Sequence, residues 1–92
     1  MFYVYLIVKK NKNKLTSYVG YTNNLVKRIS LHNSSKGAKF TKGRIWKLIY
    51  YKKYNSKMKA LKEEHRLKKN YKLRSKIKEN YIKNENFNFT SI

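Results

Sequence analysis

SYVGYTNNLVKRISLHN, Ser17 to Asn33, runs from a short β-forming stretch through a glycine and two asparagines into an amphipathic segment. Tyr18, Val19 and Tyr21 favour a strand, Gly20 interrupts it, and Thr22 or Asn23 offers a helix cap before Leu25. A helix from about Asn24 to Asn33 follows, closed by Asn33, Ser34, Ser35 and Gly37. At 3.6 residues per turn, Leu25, Val26 and Ile29 form its apolar stripe, and Arg28 and His32 stand one turn apart on the rim. From that rim both can reach the strand that carries Tyr18. The plainer alternative makes Arg28 a solvated base and His32 a packing residue.

Upstream, Phe2 to Val8 is an apolar, β-rich run, FYVYLIV. It is too short to span a bilayer and has no basic segment before it, so it reads as a buried strand and predicts a cytoplasmic protein with no membrane partner. KKNKNK then forms a polar turn into a second strand near Leu15 to Gly20, giving a hairpin. Downstream, the basic loop KGAKFTKGR leads to a third strand around Trp46 to Tyr54. Ser56 caps a helix through Lys69 or Asn70, and a lysine-rich helix covers about Leu73 to Asn84. The fold class is α+β, with a small three-stranded, mainly antiparallel sheet flanked by helices. Residues 1–83 make one domain, and residues 84–92 read as a loosely docked or frayed tail.

The formal charge is +20, from 24 Lys and Arg against 4 acids, and residues 1–62 contain no acid at all. Such a surface repels itself unless a polyanion neutralises it, and nucleic-acid phosphates are the commonest partner. A bias toward Lys, Asn, Tyr and Ile, with no Pro, offers a compositional alternative. The absence of Cys excludes a disulfide framework and zinc sites of cysteine type.

On the second helix, Ala60, Leu61, Leu67 and Tyr71 define an apolar arc that contains Glu64, while Glu63 falls at its margin, toward solvent. A carboxylate within an apolar arc must be paired or bind a cation to offset its desolvation. Lys68, one turn on, is the pairing candidate; a metal ion is the other. The inventory limits the chemistry further. Two-metal nucleases need clusters of carboxylates, yet there is no Asp and no acid before Glu63; histidine-metal sites need several His, and only His32 and His65 exist. What remains for phosphate chemistry is one carboxylate, one divalent cation, tyrosines, an arginine and a histidine.

YVY at residues 3 to 5, YVG at 18 to 20, Arg28 ten residues after Tyr18, His32 four further on and E-x-x-L-K-K at 64 to 69 together resemble a GIY-YIG nuclease domain. The likeness is strongest to the small stand-alone bacterial branch and covers about residues 2–76. Tyr3 stands where the family name has glycine. Tyr21 stands where the excision-repair relatives have a lysine, and His32 where they have a helper tyrosine.

The resemblance implies a metal-dependent endonuclease that hydrolyses DNA phosphodiester bonds, on branched, flapped or single-stranded DNA in repair or recombination. It implies that a tyrosine of the Tyr5/Tyr18 pair accepts the water's proton. Arg28 would stabilise the phosphate, His32 would orient the water or relay a proton, and Glu64 would hold Mg²⁺ or Mn²⁺. Gly20 reads as a structural glycine that lets substrate or the following helix approach. Lys36, Lys39, Lys42 and Arg44 in the basic loop, with Lys68, are expected to grip DNA phosphates with little sequence preference. A protein partner could add specificity. A non-catalytic DNA- or RNA-binding module, including a ribosome-associated one, is the alternative from a different class.

Overall fold

The computed structural model describes residues 1–11, 14–34 and 45–90. Its elements are β1 (Phe2–Asn11), β2 (Lys14–Thr22), α1 (Leu25–Asn33), β3 (Lys47–Tyr54), α2 (Lys57–Lys69) and α3 (Tyr71–Thr90). The sheet has the order β2-β1-β3 with both pairings antiparallel, so the apolar run at the N-terminus becomes the central strand.

That position explains its composition. Val4 to Val8 are each at most 3% exposed, because both faces of β1 are covered. Side chains alternate along a strand. Val4, Leu6 and Val8 pack with Val19, with Ala60 and Leu67 of α2, and with Ile77 and Tyr81 of α3. Tyr5 and Ile7 turn the other way, to Trp46, Tyr18, Leu48 and the Leu25 and Ile29 side chains of α1. A register shift in the β1–β3 pairing between Leu6 and Ile7 adds one residue to β3 and, as bulges do, locally bends the ladder.

Caps set the helix starts. Asn24, one residue later than expected, caps α1 by accepting Lys27 N–H at 3.1 Å. Thr22 tightens that turn: its Oγ1 accepts from Asn24 N at 3.1 Å and donates to Asn24 O. Ser56 accepts from Lys59 N at 3.3 Å, as expected. Asn70 both closes α2 and, through Oδ1, accepts Leu73 N–H at the start of α3. The last helix therefore begins before Leu73 and continues to Thr90, through residues that read as a tail.

Two apolar expectations fail. Val26, placed on the α1 stripe, is 83% exposed, because α1 rests on the sheet along its Leu25–Ile29–His32 edge only. Leu61 and Tyr71 are exposed too: α2 buries only the narrow line of Ala60 and Leu67, and Tyr71 falls beyond it as the first residue of α3. Among the described residues no helix is long and apolar enough to cross a membrane.

Candidate active site

The site forms on the α1 face of the sheet, around Tyr5. In the register, Tyr5 lies opposite Gly20 on one side and Tyr51 on the other. Its ring lies across Gly20: a Cβ there would overlap the Tyr5 hydroxyl and Cζ and stand 2.9 Å from Cε1. The group that approaches Gly20 is thus the Tyr5 ring, where substrate or the following helix was expected. Tyr18, two residues before Gly20 on the same strand, projects to the same face.

Arg28 and His32, one turn apart on α1, both reach the Tyr5 oxygen. Arg28 Nε donates to Tyr5 Oη at 3.3 Å, and Tyr5 Oη lies 2.7 Å from His32 Nε2. Tyr5 and His32 are both fully buried. A buried hydroxyl proton without an acceptor costs about 1–3 kcal/mol, and one lone pair of Oη is already taken by Arg28. His32 Nε2 is the polar atom beside that oxygen, so the two share one proton, and Arg28, Tyr5 and His32 form one hydrogen-bonded chain. The His32 ring also meets Tyr5 and Tyr18 edge-on, with centroids 5.8 and 5.2 Å away.

The electrostatics agree with that chain. Burial, and then the Arg28 charge, hold His32 below its ordinary 6.5, which favours the neutral ring. Burial raises the Tyr5 hydroxyl above 10.0; the Arg28 hydrogen bond and charge oppose this, and the charges of Tyr18 and Glu64 add to it. Tyr5 is therefore a phenol at neutral pH. Arg28 is raised, first by its hydrogen bond to Tyr5, with a further hydrogen bond to Tyr18, so its charge is permanent.

Exposure separates the two tyrosines that the sequence leaves equivalent. Tyr5 has no exposed surface, whereas Tyr18 and Arg28 are half-buried and open to a ligand. Tyr5 and His32 form a layer behind them.

Glu64 is 20% exposed at its side chain and makes a loose 3.7 Å ion pair with Lys68. Glu63 is not a freely solvated residue: its side chain is 25% exposed and pairs with Arg66 at 3.0 Å. Their charges reach different tyrosines. The Glu64 charge is felt at Tyr5, and the Glu63 charge at Tyr54, which burial and then Glu63 push above 10.0. Lys68, expected on phosphate, is exposed and shares itself with Glu64.

Lys36, Lys39, Lys42 and Arg44 lie outside the described residues. The anchorage on either side of them is clear. Asn33 Nδ2 donates to Trp46 O at 3.1 Å, and its Oδ1 accepts Trp46 N–H at 2.7 Å. These two hydrogen bonds tie Asn33, the residue after His32, to Trp46. Sequence reasoning treated Asn33 only as a helix stop; its signal was an amide directly before a polar, glycine-containing stretch. The neighbours Tyr3 and Tyr51 were also missed, because only the strand register brings them beside Tyr5.

The profile of the GIY-YIG catalytic domain matches residues 1–80. The chain belongs to the GIY-YIG family. It is 42% identical over 91 residues to a UPF0213 protein of Clostridium perfringens, covering 95% of this chain and 94% of that one. A UPF0213 protein of Oceanobacillus iheyensis is 42% identical over 67 residues, covering 72% of this chain and 74% of its own. One from Staphylococcus haemolyticus is 46% identical over 67 residues, with 72% and 78% covered. No solved structure matches the chain significantly. As a GIY-YIG domain the chain falls in a nuclease family, and its antiparallel sheet with three helices is consistent with that fold.

Proposed function

We propose that this GIY-YIG domain is a metal-dependent DNA endonuclease that hydrolyses phosphodiester bonds. The observation that carries the reading is Arg28: a permanent cation fixed by the buried Tyr5–His32 pair, beside the half-buried Tyr18.

Arg28 donates to the phosphate oxygens where negative charge grows during attack, and its planar donors suit that geometry. Tyr18, the partly exposed tyrosine, acts as phenolate: it takes one proton from the attacking water, whose oxygen bonds to phosphorus as the bond to the 3′ oxygen breaks in line, and the 3′ oxygen takes a proton from solvent. Tyr5 and His32 position the site. They touch no substrate, and their hydrogen-bonded chain keeps Arg28 aimed without reorganisation.

The described residues hold no group of three or more His, Cys, Asp or Glu that could cage a metal ion. They fit an ion bound by one carboxylate, with water and phosphate oxygens completing the shell, as magnesium commonly accepts. Glu64 suits that role, since its carboxylate makes only a loose pair with Lys68 among the described residues. Mg²⁺ or Mn²⁺ held there supplies charge stabilisation to the phosphate.

The basic surface binds phosphates with little regard to sequence, and Lys36, Lys39, Lys42 and Arg44 grip DNA phosphates. Incubating pure protein with labelled branched, duplex and single-stranded DNA, with and without Mg²⁺, tests the reading. Mg²⁺-dependent products are expected; tight binding with no product on any substrate would instead identify a non-catalytic nucleic-acid-binding module.

A further inference from the structure

Beside the site, Tyr3, Tyr51, Lys53 and the first turn of α1 enclose an open groove of about 390 Å³. Its relation to Tyr5 follows from the register. Tyr3 lies two residues before Tyr5 on β1, about 7 Å away on the same face. Tyr51 is directly opposite Tyr5, and Lys53 directly opposite Tyr3. The Tyr3 and Tyr51 rings are 6.1 Å apart and tilted by 59°, so they form a bent aromatic floor. Tyr51 is 50% exposed, and Val26 stands exposed on the opposite wall. Asn23 and Asn24 bring amide groups to the rim, and no lining residue is acidic.

Tyr51 on the edge strand β3 and Val26 on the side of α1 turned from the sheet both present apolar surface to this groove. Two aromatic faces, amides at an edge and one lysine match the three parts of a nucleotide: base face, base edge and phosphate. We propose that this groove takes an unpaired nucleobase of the DNA adjacent to the phosphate held by Arg28, so that the substrate is single-stranded at the cleavage point. A paired base cannot occupy it, because both its faces are already covered within the duplex stack. The proposal rests on the nuclease reading for the position of the phosphate, but its own content is a stacking contact.

The test is metal-free binding of a short single-stranded oligonucleotide, a blunt duplex of equal length and a wholly abasic strand to the full chain. Wild type, Tyr51→Ile and Tyr51→Phe are compared. Isoleucine keeps strand propensity and apolar bulk without a π face, so the fold is retained, as thermal melting will verify. Tyr51→Ile is expected to lose about 5- to 150-fold in single-strand affinity, corresponding to 1–3 kcal/mol per stacked base. Tyr51→Phe should stay near wild type, and duplex and abasic affinities should not change. Unchanged single-strand affinity in Tyr51→Ile, or an equal loss on the abasic strand, overturns the proposal. Because no cleavage is measured, an inactive but stacking protein would contradict the nuclease reading while leaving this inference standing.

Discussion

Gly20→Ala tests the architecture of the site without any assumption about substrate. The added Cβ would overlap the Tyr5 hydroxyl and Cζ and lie 2.9 Å from Cε1, where carbon contacts rest at about 3.5–4.0 Å. The ring must retreat by roughly an ångström. It has no free space, being fully buried and bonded to His32 at 2.7 Å and Arg28 at 3.3 Å. Overpacking costs about 1–3 kcal/mol, and drawing the hydroxyl off its buried partners about 1–3 more. Because the two overlap in part, a loss of about 2–4 kcal/mol is expected, or roughly 8–30 °C in Tm for a domain of this size. The assay is thermal or urea unfolding of Gly20→Ala alone and in a Tyr5→Leu background, where the offending ring atoms are gone. In that background the same change should be neutral or mildly stabilising, since alanine is intrinsically better than glycine within a strand. An equal cost in both backgrounds would refute the packing of Tyr5 on Gly20.

His32 carries a pH signature. Its folded-state pKa lies below 6.5, so an unfolded chain takes up the proton first, and stability falls as pH drops from 6.5 toward the lower folded value. The slope is at most about 1.4 kcal/mol per pH unit, and His32→Phe should remove it in melts between about pH 5 and 8; a slope that persists in the variant assigns it elsewhere. Lys39→Ala with Lys42→Ala should weaken DNA binding and reduce the log–log salt slope by about 2. Cleavage should recover at saturating protein in single-turnover assays, and a rate that stays collapsed would place these lysines in the chemistry.

The elements themselves were largely legible in the sequence, because local signals govern them. FYVYLIV is apolar without interruption and becomes the strand covered on both faces, and Ser56 caps α2 where a serine before a helical pattern should. What escaped depends on tertiary register. The run FYVYLIV marks Tyr5 as part of a buried strand, but no local signal assigns the two tyrosines different roles; the half-exposure of Tyr18 follows from β2 being an edge. The helical projection sets Glu64 inside an apolar arc and Glu63 toward solvent, yet the two are almost equally buried, and what separates them is their partners, Arg66 at 3.0 Å for Glu63 and Lys68 at 3.7 Å for Glu64. The groove of Tyr3 and Tyr51 joins residues 48 positions apart through strand pairing, on the far side of a register shift that no sequence pattern announces.

The central claim is that Glu64 holds the metal for phosphodiester cleavage, and Glu64→Gln against Glu63→Gln tests it most directly. Glutamine keeps the size and removes the charge, so single-turnover cleavage of labelled DNA in Mg²⁺ should fall by orders of magnitude in Glu64→Gln, at about tenfold per 1.36 kcal/mol of lost stabilisation. Metal-free DNA binding should persist or tighten. Glu63→Gln should cleave like wild type and lose only the few tenths of a kcal/mol of its Arg66 pair. Equal loss of cleavage in both variants, or in neither, would contradict the single-carboxylate site.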